Sequence, residues 1–189
     1  MVRLTNLSSN LSIKNSAQLV WIAYGMLPYC VCQEEMSSEY ESADLIIKLY
    51  DLRREEKLRT AREWYRKEFQ PASAAEVVDT LRGEHSAYFR MVTSYWEMAA
   101  SFVNHGAIDW KMFMDANPGE PVNVFVKLYP YLAELRSMFA SQYDDAQAFQ
   151  HLEQVIMQLP HAKEQLEERL VQFKEARVHW EAAKKIQPA

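Results

Sequence analysis

Glycine is scarce in this chain, which has only four glycines in 189 residues. Together with thinly spread β-branched residues, this scarcity argues against a sheet-rich fold with many tight turns and favours helices. It also excludes a glycine-rich phosphate-binding loop, because the turn around Gly119 is not followed by the Lys and Ser or Thr that such a loop needs. The sequence therefore predicts an all-α fold.

Cysteine is rarer still, with only Cys30 and Cys32, which are separated by a single residue. They are too close for an ordinary structural disulfide and too few for a thiolate zinc site. The chain also lacks the Glu-x-x-His, His-Glu-x-x-His and Gly-x-Ser-x-Gly motifs. His105 is better placed to contact its own helix's terminal carbonyls than to bind a metal. We expect no catalytic residues, no metal and no cofactor. The sequence does not decide whether the protein is an enzyme, but it favours a protein that is not one.

An excess of positive charge is missing too, since the net charge is -5. Nucleic acid is therefore not expected as a partner, because binding phosphates needs a basic surface. A cluster of basic residues between 53 and 67 is interleaved with glutamates, which is typical of a solvated helix face. Arg62 is the exception, because it shares a helix face with Leu58, Tyr65 and Phe69, and we expect it to reach inward.

Residues 17–32 carry no charge, but this segment is shorter than the roughly 20 apolar residues of a spanning helix and contains Gly25 and Pro28. Three interpretations stay open: a buried or surface-packed helix, a membrane or export segment, and a mis-assigned start of the chain. We assign residues 1–36 to a tail that contains this apolar segment. The expected location is cytoplasmic, with association with the inner membrane through residues 17–32 as the alternative.

Residues 37–143 carry the pattern of a helical core domain, which begins at a capping box formed by Ser38 and Glu41. The longest pattern predicts a helix from about 84 to 105 that stops at Gly106. Its back face carries short, mostly uncharged side chains, so we expect it to be covered on more than one side. With the other predicted helices, one of them kinked near Pro130, it forms an irregular bundle of six or more helices.

The last part of the chain, residues 144–189, has a different pattern of apolar and charged residues. Apolar positions recur in alternating steps of four and three between 152 and 180, with interruptions at Pro160, Lys163 and Arg177. We predict a C-terminal helical hairpin, either packed on the core or forming the arm of a homodimer through residues 152–184.

Two charged residues occupy apolar surroundings. Glu97 is the only Asp, Glu, Lys or Arg between Met91 and Ile108, and Arg136 lies on the apolar face of its predicted helix. A buried unpaired charge costs several kcal/mol, so each needs a partner. We predict that Glu97 and Arg136 form an ion pair between helices, or that they line a polar pocket for a small anion.

Three stretches carry a resemblance to a known family: SADLIIKLYDLRREEKLRTAREWY, SYWEMAASFVNHGAID and VKLYPYLAELRSMF. From about residue 38 to 139 the chain resembles a bacterial family of helical domains of unknown function, some of which carry a membrane segment before the domain. The resemblance implies signature positions at Tyr95, Trp96, Glu97, Gly106, Asp109 and Arg136. It implies no activity.

These observations lead to three functional hypotheses. The first is a non-catalytic structural or protein-interaction module that binds another protein or a second copy of itself. The second is a membrane-associated module anchored by residues 17–32. The third is a protein that binds a small anionic ligand through Arg136 and Glu97.

Overall fold

The computed structural model describes residues 38–143 and 147–186. Within these ranges the chain forms nine α-helices, one short 3-10 helix and no strand, which confirms the all-α prediction for this part of the chain. The α-helices are α1 (Glu39–Arg53), α2 (Glu56–Lys67), α3 (Ala74–Arg82), α4 (Ser86–Asn104), α5 (Trp110–Ala116), α6 (Glu120–Val126), α7 (Leu132–Tyr143), α8 (Gln150–Ile156) and α9 (Ala162–Ile186).

Local sequence sets several of the helix ends. The backbone N–H of Glu41 donates to the Ser38 hydroxyl at 3.2 Å, and the N–H of Ser38 donates to the Glu41 carboxylate at 2.9 Å. These bonds form the predicted capping box. Asp109 caps α5 by accepting a 2.7 Å bond from the N–H of Met112. After α4, Gly106 has a φ of +72°, a left-handed conformation that suits glycine.

Helix α4 lies at the centre of the fold, as its sequence predicted. It packs against α2, α3, α5 and α8. Phe89 and Trp96 on α4 are almost completely buried, and Phe89 packs against the rings of Tyr65 and Phe69. Truncating an aromatic ring in such a core typically costs about 3–5 kcal/mol. The burial of these rings therefore fixes α2 and α4 against each other.

The region around Pro130 differs from the sequence prediction. Instead of one kinked helix, α6 ends at Val126, a 3-10 helix covers Tyr129–Tyr131, and α7 starts at Leu132. Pro130 has no N–H to continue the hydrogen bonds of α6, and its ring clashes with the preceding turn. The proline therefore separates two helices, and the prediction of a single helix was wrong.

The last two helices pack on different parts of the bundle. Helix α8 buries Leu152, Val155 and Ile156 completely and packs mainly on α4, whereas α9 packs on α6. A short turn joins them, in which His161 has a φ of +55°. All described residues fall within one compact unit, Glu34–Ala189. The division of the chain at residue 144 and the homodimer arm through 152–184 stay predictions.

None of the helices in the described residues combines the length and the hydropathy that crossing a bilayer requires. The uncharged run at 17–32 lies outside the described residues.

Candidate functional site

Glu97 caps a helix that is distant in sequence. Its side chain extends from the middle of α4 to the N-terminus of α8, where Oε1 accepts a 2.8 Å bond from the N–H of His151 and Oε2 a 3.0 Å bond from the N–H of Leu152. The residue before α8, Phe149, has a φ of +61° and offers no side-chain cap. The Glu97 carboxylate therefore supplies the negative charge that a helix N-terminus favours.

Arg136 contacts the same part of the chain from α7. Its Nε donates to the carbonyl of Ala148 at 3.1 Å, and its Nη2 donates to Oε2 of Glu153 at 2.7 Å. The side chain is about three-quarters buried, with 25% of its surface exposed. Arg136 thus binds the turn before α8 and the first turn of α8 itself.

The predicted ion pair between Glu97 and Arg136 is therefore wrong, because the two side chains hold α8 without contacting each other. Two free N–H groups at the start of α8 satisfy both oxygens of Glu97. Glu153, in the first turn of α8, provides the carboxylate that pairs with Arg136. Glu97 and Arg136 also border separate cavities, of about 470 and 430 Å³. A joint anion pocket between them is not supported.

The other signature positions hold α1, α4 and α5 together. The hydroxyl of Tyr95 donates to the carbonyl of Leu49 on α1 at 2.8 Å, and burial raises the pKa of Tyr95 to about 12. The N–H of Asp109 donates to the Ser42 hydroxyl at 3.0 Å. Trp96 is fully buried, and its indole N–H has no hydrogen-bond partner among the described residues. These contacts are architectural.

Arg62 reaches inward and forms a two-pronged ion pair with Glu120 at the start of α6. Its Nε lies 2.5 Å from Oε1 and its Nη2 lies 2.7 Å from Oε2. Arg53 adds a 3.4 Å contact to the same carboxylate and a 2.9 Å bond to Asn117. This network joins α1, α2 and α6, and a planar bidentate pair fixes orientation as well as distance.

The network closes one end of a cleft between α2 and α6. Each wall is one helical ridge, with residues at i, i+3, i+4 and i+7. The α2 ridge is Arg59, Arg62, Glu63 and Arg66, and the α6 ridge is Glu120, Asn123, Val124 and Lys127. Tyr65 and Val92 also line the cleft, which has a volume of about 550 Å³. That volume lies in the range of sites that bind small molecules.

Lys127 closes the other end of the cleft. Its ammonium donates to the carbonyls of Tyr65, Arg66 and Phe69 at 2.7, 3.1 and 2.7 Å, and so caps the C-terminus of α2. Burial, and to a smaller extent the nearby guanidinium of Arg66, lower the pKa of Lys127 to about 7 against the pull of these carbonyls. The protonation state of Lys127 therefore affects how firmly α2 and α6 are held together.

Sequence reasoning missed Lys127, although a signal was present. Lys127 is the only charged residue between Glu120 and Glu134. The same argument that singled out Glu97 would have identified it, since an isolated charge in an apolar segment needs partners. Within the described residues, no group of three or more potential ligand side chains is placed to hold a metal ion.

Comparison with known families identifies the domain. The model of the family described as Domain of unknown function (DUF4760) matches residues 40–159, which is more than half of the chain. The match extends further than the resemblance at 38–139 suggested and includes α8, in agreement with the burial of α8 in the core. Searches of curated proteins and of solved structures gave no match. The chain belongs to the DUF4760 family.

Proposed function

We propose that this domain is a non-catalytic protein-interaction module that binds an amphipathic helix of another protein along the outer face of α1. The observation that carries the proposal is the exposure of large apolar side chains on this helix. Tyr40 is 81% exposed, Ile47 61% and Tyr50 51%. Of the seven large hydrophobic side chains that are exposed in the described residues, four belong to α1.

The three side chains, with Ala43, form one stripe on α1. Their spacing of three, four and three residues is the a and d pattern of a coiled-coil seam. The opposite face of α1 packs on the domain through Ser42 and Leu49, which are buried. The stripe is exposed in the part of the chain that the structure describes, so a second helix could pack on it without any rearrangement of that part.

The charges beside the stripe indicate which kind of partner fits. Asp44 and Asp51 follow the d positions, where the charged residues that select a partner helix are found. A second copy of α1 would bring aspartates against aspartates in an antiparallel pairing, and Asp44 against Glu39 in a parallel one. The complementary partner is an amphipathic helix whose apolar stripe is flanked by Lys and Arg.

A designed peptide tests this proposal directly. We would use a helical peptide of about 20 residues, with Leu at the a and d positions and Lys at the flanking ones. The expected dissociation constant, measured by fluorescence anisotropy, is on the order of 10–100 μM. Ile47→Asp should weaken binding about tenfold or more, because a carboxylate would then lie in the apolar contact.

Two matched controls accompany this measurement. Val178→Asp places the same charge at a similarly exposed apolar residue of α9, which is 66% exposed, and should leave binding unchanged. A peptide with Glu in place of the flanking Lys should bind much more weakly. Equal binding of the two peptides, or equal binding by Ile47→Asp and the unmodified domain, would refute the proposal.

A further inference from the structure

The described residues that line the cleft between α2 and α6 include more basic than acidic side chains, namely Arg59, Arg62, Arg66 and Lys127 against Glu63 and Glu120. Arg62 is paired with Glu120, and Glu63 is paired with Lys67 at 2.5 Å. The side chains of Arg59 and Arg66 line the same cleft, and among the described residues neither forms a hydrogen bond or a close ion pair. Their nearest acidic neighbours are Glu55 and Glu63, whose pKa values are lowered mainly by other groups and only to a smaller extent by these arginines. The cleft therefore holds two guanidinium groups without a hydrogen-bonded partner in the described structure, in addition to the buried Lys127.

The positive charge is concentrated at the end of the cleft where Arg66 and Lys127 meet. The Lys127 ammonium donates to the backbone carbonyl of Arg66, and both residues line the cleft. The proximity of the Arg66 guanidinium contributes to the low pKa of Lys127, as expected for like charges. An anion bound at this end would remove the repulsion.

The remaining lining of the cleft is apolar. Val92 and Val124 are buried beneath it, and Pro118 also lines it. Such a surface suits the carbon part of a ligand whose charged group is bound at the Arg66 and Lys127 end of the cleft.

We propose that the cleft binds a small organic phosphate monoester, with its phosphate at Arg66 beside Lys127 and its carbon part over Val92 and Val124. A phosphate monoester carries a charge between about -1.5 and -2 at neutral pH. This charge is attracted to the Arg66 guanidinium and favours the protonated form of Lys127 more strongly than the single charge of a carboxylate would. Arg66 can bind two phosphate oxygens at once. Lys127 contributes through its charge, since its three N–H groups are already bonded to carbonyls.

Calorimetric titration of the whole protein with phenyl phosphate tests the proposal. The expected dissociation constant is on the order of 0.1–1 mM. Inorganic phosphate should bind about tenfold more weakly, because it lacks the carbon part, and singly charged phenyl sulfate should also bind more weakly. Arg66→Gln should weaken the binding of phenyl phosphate at least about tenfold. Arg66 is exposed and unpaired in the described structure, so this variant keeps the fold.

The control is Arg90→Gln, which removes an exposed arginine of α4 outside the cleft, where its Nε donates to the Ser86 hydroxyl at 3.3 Å. A second arm uses phosphatidylcholine vesicles with and without phosphatidic acid, whose headgroup is also a phosphate monoester. The proposal is supported if phenyl phosphate or the phosphatidic acid vesicles bind, and if this binding is lost in Arg66→Gln but kept in Arg90→Gln. Which of the two binds shows whether the phosphate monoester is a free compound or a lipid headgroup. The proposal fails if neither ligand binds, if phenyl sulfate binds as tightly as phenyl phosphate, or if both variants lose binding equally.

Discussion

Two regions of this domain use an inward-reaching arginine, and they differ in what surrounds it. At the start of α8, Arg136 is paired with Glu153 and both carboxylate oxygens of Glu97 accept backbone N–H bonds. In the cleft between α2 and α6, Arg62 is satisfied by Glu120, but Arg59 and Arg66 beside it are not. Charged side chains that are all paired within the protein stabilise the fold. Cationic side chains without a hydrogen-bonded partner, next to a cavity, can in addition bind a ligand.

The largest effect on stability is expected at the closed end of the cleft. Lys127→Met removes three hydrogen bonds to the carbonyls at the end of α2 and leaves those acceptors buried. We expect the free energy of unfolding, measured by urea denaturation, to fall by about 3 kcal/mol. Lys111→Met is the control, because Lys111 is 77% exposed and its ion pair with Asp115 lies at the surface, and it should cost less than about 0.5 kcal/mol. Equal losses would show that Lys127 does not cap α2.

A double-mutant cycle tests whether Glu97 and Arg136 act separately on α8. Glu97→Gln should cost about 2 kcal/mol, because it removes the charge that caps the helix. Arg136→Met should cost about 1.5 kcal/mol through its bonds to Glu153 and Ala148. The double variant should lose about the sum of the two, as independent contacts do. A double variant more stable than Glu97→Gln alone would indicate a direct ion pair.

The pH dependence of stability should report Lys127. Its pKa falls from 10.5 in the unfolded chain to about 7 in the folded domain, so between these values the unfolded chain binds more protons. The free energy of unfolding of the native protein, relative to Lys127→Met, should therefore rise from about pH 7 towards pH 10, on the order of 1–2 kcal/mol. Urea denaturation of both proteins at about pH 6 and pH 9 measures this difference. A constant difference would contradict the lowered pKa.

Much of the fold could be predicted from the sequence, because it depends on local and periodic signals. The Ser38 capping box, the Asp109 cap and the apolar pattern of α4 each specify their element without knowledge of the rest of the chain. The family resemblance was confirmed over most of its length.

The partners of Glu97 could not be predicted in this way. They are backbone N–H groups, which every residue except proline carries, so the side chains of His151 and Leu152 give no hint of the contact. The sequence before α8 lacks a Ser, Thr, Asp or Asn next to Gln150, and this lack was the available signal that a distant carboxylate caps the helix.

The cleft depends on long-range packing and was harder still to predict. Arg62 was expected to point inward from its position on α2, but its partner Glu120 lies 58 residues away on α6. The two ridges face each other only because α2 packs on α4 while α6 packs on α8, which in turn packs on α4. Helical periodicity predicts the helix face on which a residue lies, but it does not predict which other helix that face will contact.

The most direct test of the difference between the two regions compares Arg136→Met with Arg66→Gln in urea denaturation at neutral pH. If the first region is architectural and the second is a binding cleft, Arg136→Met loses about 1.5 kcal/mol. Arg66→Gln should change stability by less than about 0.5 kcal/mol, or raise it slightly by relieving the repulsion with Lys127. A large loss for Arg66→Gln together with no loss for Arg136→Met would contradict this account.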